Sequence, residues 1–224
     1  MSNISVLLVD DHNIVRQGLK ALLLAEGDIT IVAEAQTGRE AVQLASKLHP
    51  EVVVMDLAMP LLNGWEATRQ ILKAIPSARI VVLSTYGDDD HIQQAIAAGA
   101  AAYLLKQTAA ADLVKAIREV KKGNAYFSPA IAKRLREQTC RPSSQGTPAN
   151  LADLTPREAE VLQLIAEGFA NKQIAAELGL SVKTVEKHRQ QVMHKLNIHD
   201  IAGLVRHAAE KGIIELAASG VPNV

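Results

Sequence analysis

Residues 52–64 read VVVMDLAMPLLNG, a run of four apolar residues that meets Asp56 and then the turn residues Pro60, Asn63 and Gly64. An apolar run without polar alternation fits a strand covered on both faces, the condition of inner strands in a parallel sheet. The pattern repeats in both directions. Strands are expected at 6–9, 30–33, 52–55, 80–83 and 102–105, and each is followed by a helical period, at 14–25, 39–48, 65–75, 89–98 and 110–121. Five strand-helix units predict an α/β fold, a doubly wound five-stranded parallel sheet with helices on both faces.

The tips of those strands carry the chemistry. All strands of a parallel sheet point one way, so the residues that follow them gather at one edge, where such folds bind ligands. Here they are Asp10 and Asp11 after the first strand, Asp56 after the third, Ser84 after the fourth and Lys106 after the fifth. If the first and third strands are neighbours, their tips lie about 5 Å apart. At an effective dielectric near 20, one like-charged pair at that distance costs about 3 kcal/mol, so the cluster calls for a cation or shifted pKa values. With no imidazole or thiolate expected beside the carboxylates, a hard divalent ion, Mg²⁺, fits better than zinc. A carboxylate beside such an ion and an ammonium group can accept a phosphoryl group, which makes Asp56 the nucleophile, Asp10 and Asp11 the ion's holders, and Lys106 and Ser84 the phosphoryl partners. Taken singly, an Asp after a strand is most often a helix cap and a Lys a solvated charge; only their joint occurrence at four tips of one sheet points to phosphoryl chemistry.

Beyond residue 122 the pattern changes. Ser128 and Pro129 mark a short helix to about Arg136. The stretch 139–149 holds Pro142, Ser143, Ser144, Gly146, Thr147 and Pro148 without an apolar period, and reads as a linker. Thr155, Pro156 and Glu158 then form a capping box, followed by four helices at 157–167, 171–178, 182–196 and 201–211. The division expected is 1–124, 125–150 and 151–216, the last a smaller all-α four-helix unit. Its second and third helices, joined at Gly179, have the form of a helix-turn-helix. On the third, Val182, Val192 and Leu196 share a face with Val185, while Lys183, Lys187, Gln190, Gln191 and His194 lie opposite. Thr184, His188 and Arg189 fall on the flanks; Lys172 and Glu186 complete the set of candidate DNA contacts.

Bulk properties exclude more than they identify. Apolar residues make up 48% and charged residues 21%, which is neither a disordered nor a membrane composition. Cut after Glu137, the chain has 15 basic and 15 acidic residues before and 9 of each after, together the 24 and 24 of the whole, so neither part is a basic domain. The start of the chain lacks a signal peptide's basic stretch and no run is long enough to span a bilayer, so a cytoplasmic protein without membrane association is expected. Cys140 stands alone and reads as a free thiol.

VLLVDD (6–11), VMDLAMPLLNG (54–64), Ser84 and YLLK (103–106) resemble the receiver domains of two-component response regulators. LTPRE (154–158), NKQIA (171–175), LGLSVKTVEKH (178–188) and KL (195–196) resemble the LuxR-type helix-turn-helix of the NarL/FixJ family. The resemblance implies a phosphorylation-controlled transcription regulator with Asp56 as phosphoacceptor, Asp10, Asp11 and the carbonyl of Ala58 as further Mg²⁺ ligands, and Ser84, Tyr103 and Lys106 as switch residues. It implies a sensor histidine kinase and double-stranded DNA as partners, RNA polymerase as a further candidate, a homodimer when phosphorylated or DNA-bound with the last helix as a dimerisation element, and no enzymatic role beyond the receiver's own phosphorylation and dephosphorylation. Gln107 departs from the proline that many receivers have there. Ala58 and Tyr86 are placed where they flank water's approach to the aspartyl-phosphate; with no amide or carboxylate at either position, slow self-hydrolysis is expected. Two alternatives remain: a phosphorylation-independent DNA-binding regulator, or an aspartyl-phosphate phosphohydrolase, which would place Asp-x-Asp after its first strand, whereas Asp10 and Asp11 are adjacent.

Overall fold

A computed structural model describes residues 3–107, 109–128, 131–132 and 154–214. They fall into two compact units, one within Met1–Gly146 and one within Thr147–Val224.

In the first unit, β1 (Ile4–Val9), β2 (Ile29–Ala35), β3 (Val52–Asp56), β4 (Arg79–Ser84), β5 (Ala102–Leu105) and β6 (Tyr126–Phe127) form one sheet in the order β2-β1-β3-β4-β5-β6. Every pairing is parallel. The helices are α1 (Asn13–Leu24), α2 (Gly38–Leu48), α3 (Gly64–Ala74), α4 (Asp89–Ala98) and α5 (Ala109–Lys121). The period of two splits each strand between two cores. Leu7, Val9, Val53, Met55, Ile80, Val82 and Tyr103 pack with Ala41, Ala45, Trp65, Ile71 and Ile92, from α2, α3 and α4. Val6, Leu8, Val52, Val54, Val81, Leu83 and Leu104 pack with Leu19, Leu23, Leu113, Ile117 and Val120, from α1 and α5. This two-sided burial explains the unbroken apolar run 52–55.

β6 extends the five strands read from sequence to six. Two residues carry no period, so sequence alone does not reveal it; Tyr126 and Phe127 simply continue the edge against Ala102 and Tyr103. Of the short helix expected from Ser128, Ile131 and Ala132 are helical and Ile131 is buried in the first core. The remainder of that helix, the linker and Cys140 lie outside the described residues.

The second unit is helical: α6 (Pro156–Ala166), α7 (Asn171–Leu178), α8 (Val182–Leu196) and α9 (Ile201–Glu210). The capping box is present, with Glu158 N donating to Thr155 and Thr155 N donating to the Glu158 carboxylate. Gly179 ends α7 in the left-handed region at φ 64°, which a side chain would strain, and Ser181 caps α8 two residues later. Val161, Leu162, Leu164, Ile174, Val185, Val192, Leu204 and Ala208 form the interior. Val182, expected on the packing face, is instead 41% exposed, at the first position of α8. Among the described residues, no helix is long and apolar enough to cross a membrane.

Candidate functional site

The β1-β3 neighbourhood brings the acidic residues together. Val9 pairs with Met55, so Asp10 and Asp56 sit side by side at the sheet's carboxyl edge. Both are buried, at 0% and 2% exposure. Behind Asp56 the chain must turn without bulk: a Cβ on Gly64 would stand 2.0 Å from the Asp56 carbonyl oxygen, and Gly64 N donates to Leu57 O. Asn63 caps α3 at the same point by accepting from Glu66 N. Asp56 is thus held in a closed strand-to-helix loop, with its Oδ1 accepting from Leu57 N at 2.7 Å. Ala58 is buried in that loop.

Lys106, delivered by β5, spans the cluster. Its Nζ lies 2.7 Å from Asp56 Oδ2 and 3.0 Å from Asp10 Oδ2. Burial alone would lower this ammonium, but Asp56 and then Asp10 outweigh it and hold it above its ordinary value. Asp56 goes the other way. Burial pushes its carboxyl up to about 7, Lys106 opposes the rise, and the charges of Asp10 and Asp11 add to it. One ammonium does not neutralise three carboxylates. Asp10 Oδ2 has the Lys106 ammonium beside it and Asp11 Oδ1 the His12 imidazole, with Nδ1 at 2.7 Å, and the excess of negative charge suits a cation.

The imidazole of His12 joins this group. Asp10, Asp11, His12 and Asp56 each offer a ligand atom, all within 4.8 Å of one another. This corrects the expectation that no imidazole would accompany the carboxylates. The signal was available, since His12 follows the acidic pair directly, but a lone histidine next to a strand end is not by itself informative.

On the far side, Ser84 and Tyr103 are buried. Ser84 Oγ accepts from Tyr86 N at 3.0 Å, and the Tyr103 hydroxyl donates to the Tyr86 carbonyl at 2.7 Å. Burial pushes the Tyr103 phenol up to about 12, against Ser84 and with Asp88. The Tyr86 ring stacks on His91, centroids 4.6 Å apart and planes at 7°, and the His91 Nδ1 lies 2.6 Å from Asp88 Oδ1. Tyr86 is therefore seated on the start of α4 rather than being a free loop side chain. Trp65 is buried in the first core.

In the second unit, Ser181, Lys183, Thr184, Glu186, Lys187 and Gln190 line an open groove on α8. Lys172, His188 and Arg189 are not part of its lining: Lys172 is exposed on α7, and His188 and Arg189 are half-buried. Ser181 was missed as a groove residue because it precedes the helix whose face the periodicity defines; its hydroxyl lies 2.8 Å from that of Thr184.

Known proteins share both halves. Residues 6–118 match the response regulator receiver domain, and residues 152–208 the bacterial regulatory proteins of the luxR family. The chain belongs to the response regulators. The transcriptional regulatory protein LiaR of Bacillus subtilis (strain 168) is 42% identical over 197 residues, 88% of this chain and 92% of LiaR. The response regulator protein VraR of Staphylococcus aureus (strain Mu3) is 35% identical over 95% of this chain and 99% of its own. Among solved structures, an RcsB-DNA complex aligns with TM-score 0.57 at 26% identity, covering 93% of this chain and 98% of that one. A LuxR family response regulator from Aurantimonas sp. SI85-9A1 aligns with TM-score 0.60 at 36% identity, covering 62% of this chain and all of that one. This response regulator is thus a DNA-binding transcriptional regulator by family. Its α/β unit carries an acidic cluster of Asp10, Asp11 and Asp56 compatible with Mg²⁺.

Proposed function

We propose that Asp56 accepts a phosphoryl group from a sensor histidine kinase and that this controls DNA binding by the helical unit. The observation that carries the reading is the bridge of Lys106 between the buried Asp56 and Asp10, at the edge of a cluster that Asp11 completes. In the transfer, the P–N bond of a phosphohistidine breaks as a P–O bond to a carboxylate oxygen of Asp56 forms. Lys106 stays within reach to pair with the arriving oxygens, and Ser84 offers a hydroxyl in place of its contact with Tyr86 N. Asp10, Asp11, Asp56 and the Ala58 carbonyl would hold Mg²⁺, whose charge, when bound, keeps Asp56 ionised and offsets that of the phosphoryl oxygens. The receiver promotes its own phosphorylation and dephosphorylation and no other reaction.

Tyr103 and Ser84 both engage the Tyr86 backbone, so moving the Ser84 hydroxyl towards a phosphoryl group changes what holds the start of α4. The resulting surface favours a homodimer. Residues 1–124 act as receiver, 125–150 as connector and 151–216 as DNA-binding domain, with Lys183, Thr184, Glu186, Lys187 and Gln190 facing double-stranded DNA and Lys172, His188 and Arg189 at its margins. RNA polymerase is the further partner of a regulator that activates. Such a protein works in the cytoplasm, where the chromosome lies.

Labelling by acetyl phosphate tests the acceptor. The wild type should take up one phosphoryl group in Mg²⁺ and none after chelation, and Asp56→Asn none in either condition; uptake by Asp56→Asn would show the acceptor to be elsewhere.

A further inference from the structure

We propose that Glu186 is a specificity-determining residue, selecting cytosine at one position of each half-site by accepting from the cytosine N4 amine in the major groove. This rests on α8 being the helix that faces DNA, and it names a base which that helix demands.

Three observations carry it. The first is position. Ser181 caps α8 and Val182 begins it, so Glu186 stands at the start of the second turn. In a helix-turn-helix the early residues of the second helix are the ones that meet base edges. At about 100° per residue, Glu186 falls within about 60° of Lys183 and Gln190 and about 100° from the buried Val185. It lines the same open groove as Lys183, Lys187 and Gln190, and all four are exposed.

The second is the company that Glu186 lacks. On α6, Glu158 is answered by Lys195 at 2.7 Å and Glu160 by Arg157 at 2.6 Å. Among the described residues no cation pairs with Glu186, although Lys183 stands one turn before it and Lys187 beside it. Its carboxylate keeps its full capacity to accept hydrogen bonds, on the face turned towards a polyanion.

The third is the chemistry of that encounter. Phosphates repel a carboxylate, so Glu186 lowers affinity for DNA in general and is compensated only where it meets a donor. The floor of the major groove offers two, N4 of cytosine and N6 of adenine. Adenine sets the acceptor N7 beside its amine, while guanine and thymine turn acceptors alone towards the groove; a carboxylate, which only accepts, is repelled by each. Cytosine alone presents its amine with no acceptor on the same base edge. The guanine paired with it shows O6 and N7, which suit the ammonium of Lys183 or Lys187. Gln190, whose amide both donates and accepts, suits adenine and does not duplicate Glu186. The lysines thus supply attraction and the carboxylate supplies discrimination.

Selection from a library of random double-stranded DNA by the full chain, with acetyl phosphate in Mg²⁺, tests this. The wild type should enrich half-sites with cytosine fixed at one position, and exchanging that C·G pair for any other should weaken binding about tenfold. Glu186→Gln should move the preference at that position to adenine, because an amide pairs with N6 and N7 together. Glu186→Ala should abolish the preference and bind unrelated DNA more tightly than the wild type. Both substitutions fall on an exposed side chain without an ion pair, so the fold of the helical unit should be unaffected. Base preferences unchanged in both variants, or equal weakening of all sequences by Glu186→Ala, would overturn the role of Glu186. A wild type that enriches no sequence would instead overturn the placing of α8 on DNA, and the proposal with it.

Discussion

Asp56 is poised by opposed forces, and the balance sets its response to pH and metal. Its carboxyl is pushed up to about 7 by burial and by Asp10 and Asp11, beyond what Lys106 offsets. A raised acid pKa means the folded state holds a proton that the unfolded chain has released, so in chelator stability falls as pH rises from about 4 through 7. Asp56→Asn removes that penalty. In chelator at pH 8 the variant should be more stable than wild type by at least about 1 kcal/mol, a gain that shrinks as pH falls towards 4. Millimolar Mg²⁺ should narrow or reverse the difference, because it stabilises the form that binds it. Thermal unfolding at the two pH values, with and without the ion, checks both signs; a variant no more stable than wild type at pH 8 would mean the carboxylates are better solvated than their burial indicates. The identities of Asp10, Asp11, Asp56, Ser84 and Lys106 were legible in the sequence because strand tips converge whatever the details of packing. The place of His12 was not, because whether a side chain after a strand turns in or out depends on backbone angles at one residue.

At the level of single elements, α8 is seated by a contact whose partners are 37 residues apart. Lys195 Nζ lies 2.7 Å from Glu158 Oε2, the oxygen that also accepts from Thr155 N. Burial would raise the Glu158 carboxyl, but Lys195 and the Thr155 backbone hold it below its ordinary value. A depressed acid pKa contributes stability that is present above about pH 4.5 and lost as pH falls through the lower folded value. Glu158→Gln should cost the helical unit about 1–3 kcal/mol at pH 7, the cost fading below pH 4 as wild-type Glu158 takes up its proton. Chemical denaturation at the two pH values reads this out, and a pH-independent cost would assign the effect to packing alone. The capping box was legible from Thr155, Pro156 and Glu158, but its second use was not, because a local motif says nothing about a lysine one helix-turn-helix away. The groove side of α8 gives a separate expectation. Lys187→Ala should weaken DNA binding by about 1–3 kcal/mol and relax the preference at one half-site position if Lys187 reads a base. Uniform weakening over all sequences would make it a phosphate contact. Helical periodicity found this face, and failed at Val182, since a wheel gives the direction of a residue and not whether a neighbour covers the helix at that end.

Over the whole chain, two units of opposite fold class are joined in one regulator, and the parallel sheet was legible because burial on both faces removes polar residues from its strands. Only β6 escaped, being too short to leave a pattern. Two copies reading DNA with α8 should recognise a symmetric operator with half-site centres about one helical turn, roughly 34 Å, apart. Inserting five base pairs between the half-sites should abolish cooperative binding, and an operator indifferent to that insertion would argue for binding by single copies. In such a regulator phosphorylation of one unit should control DNA binding by the other. This is tested by titrating fluorescent DNA, taken from sites that the protein occupies in genome-wide mapping, with wild type and Asp56→Asn, each with and without acetyl phosphate in Mg²⁺. Phosphorylated wild type should bind with affinity about tenfold or more higher, and Asp56→Asn should not respond. Equal affinities of the two wild-type forms across protein concentrations, or the same gain in Asp56→Asn, would contradict such control.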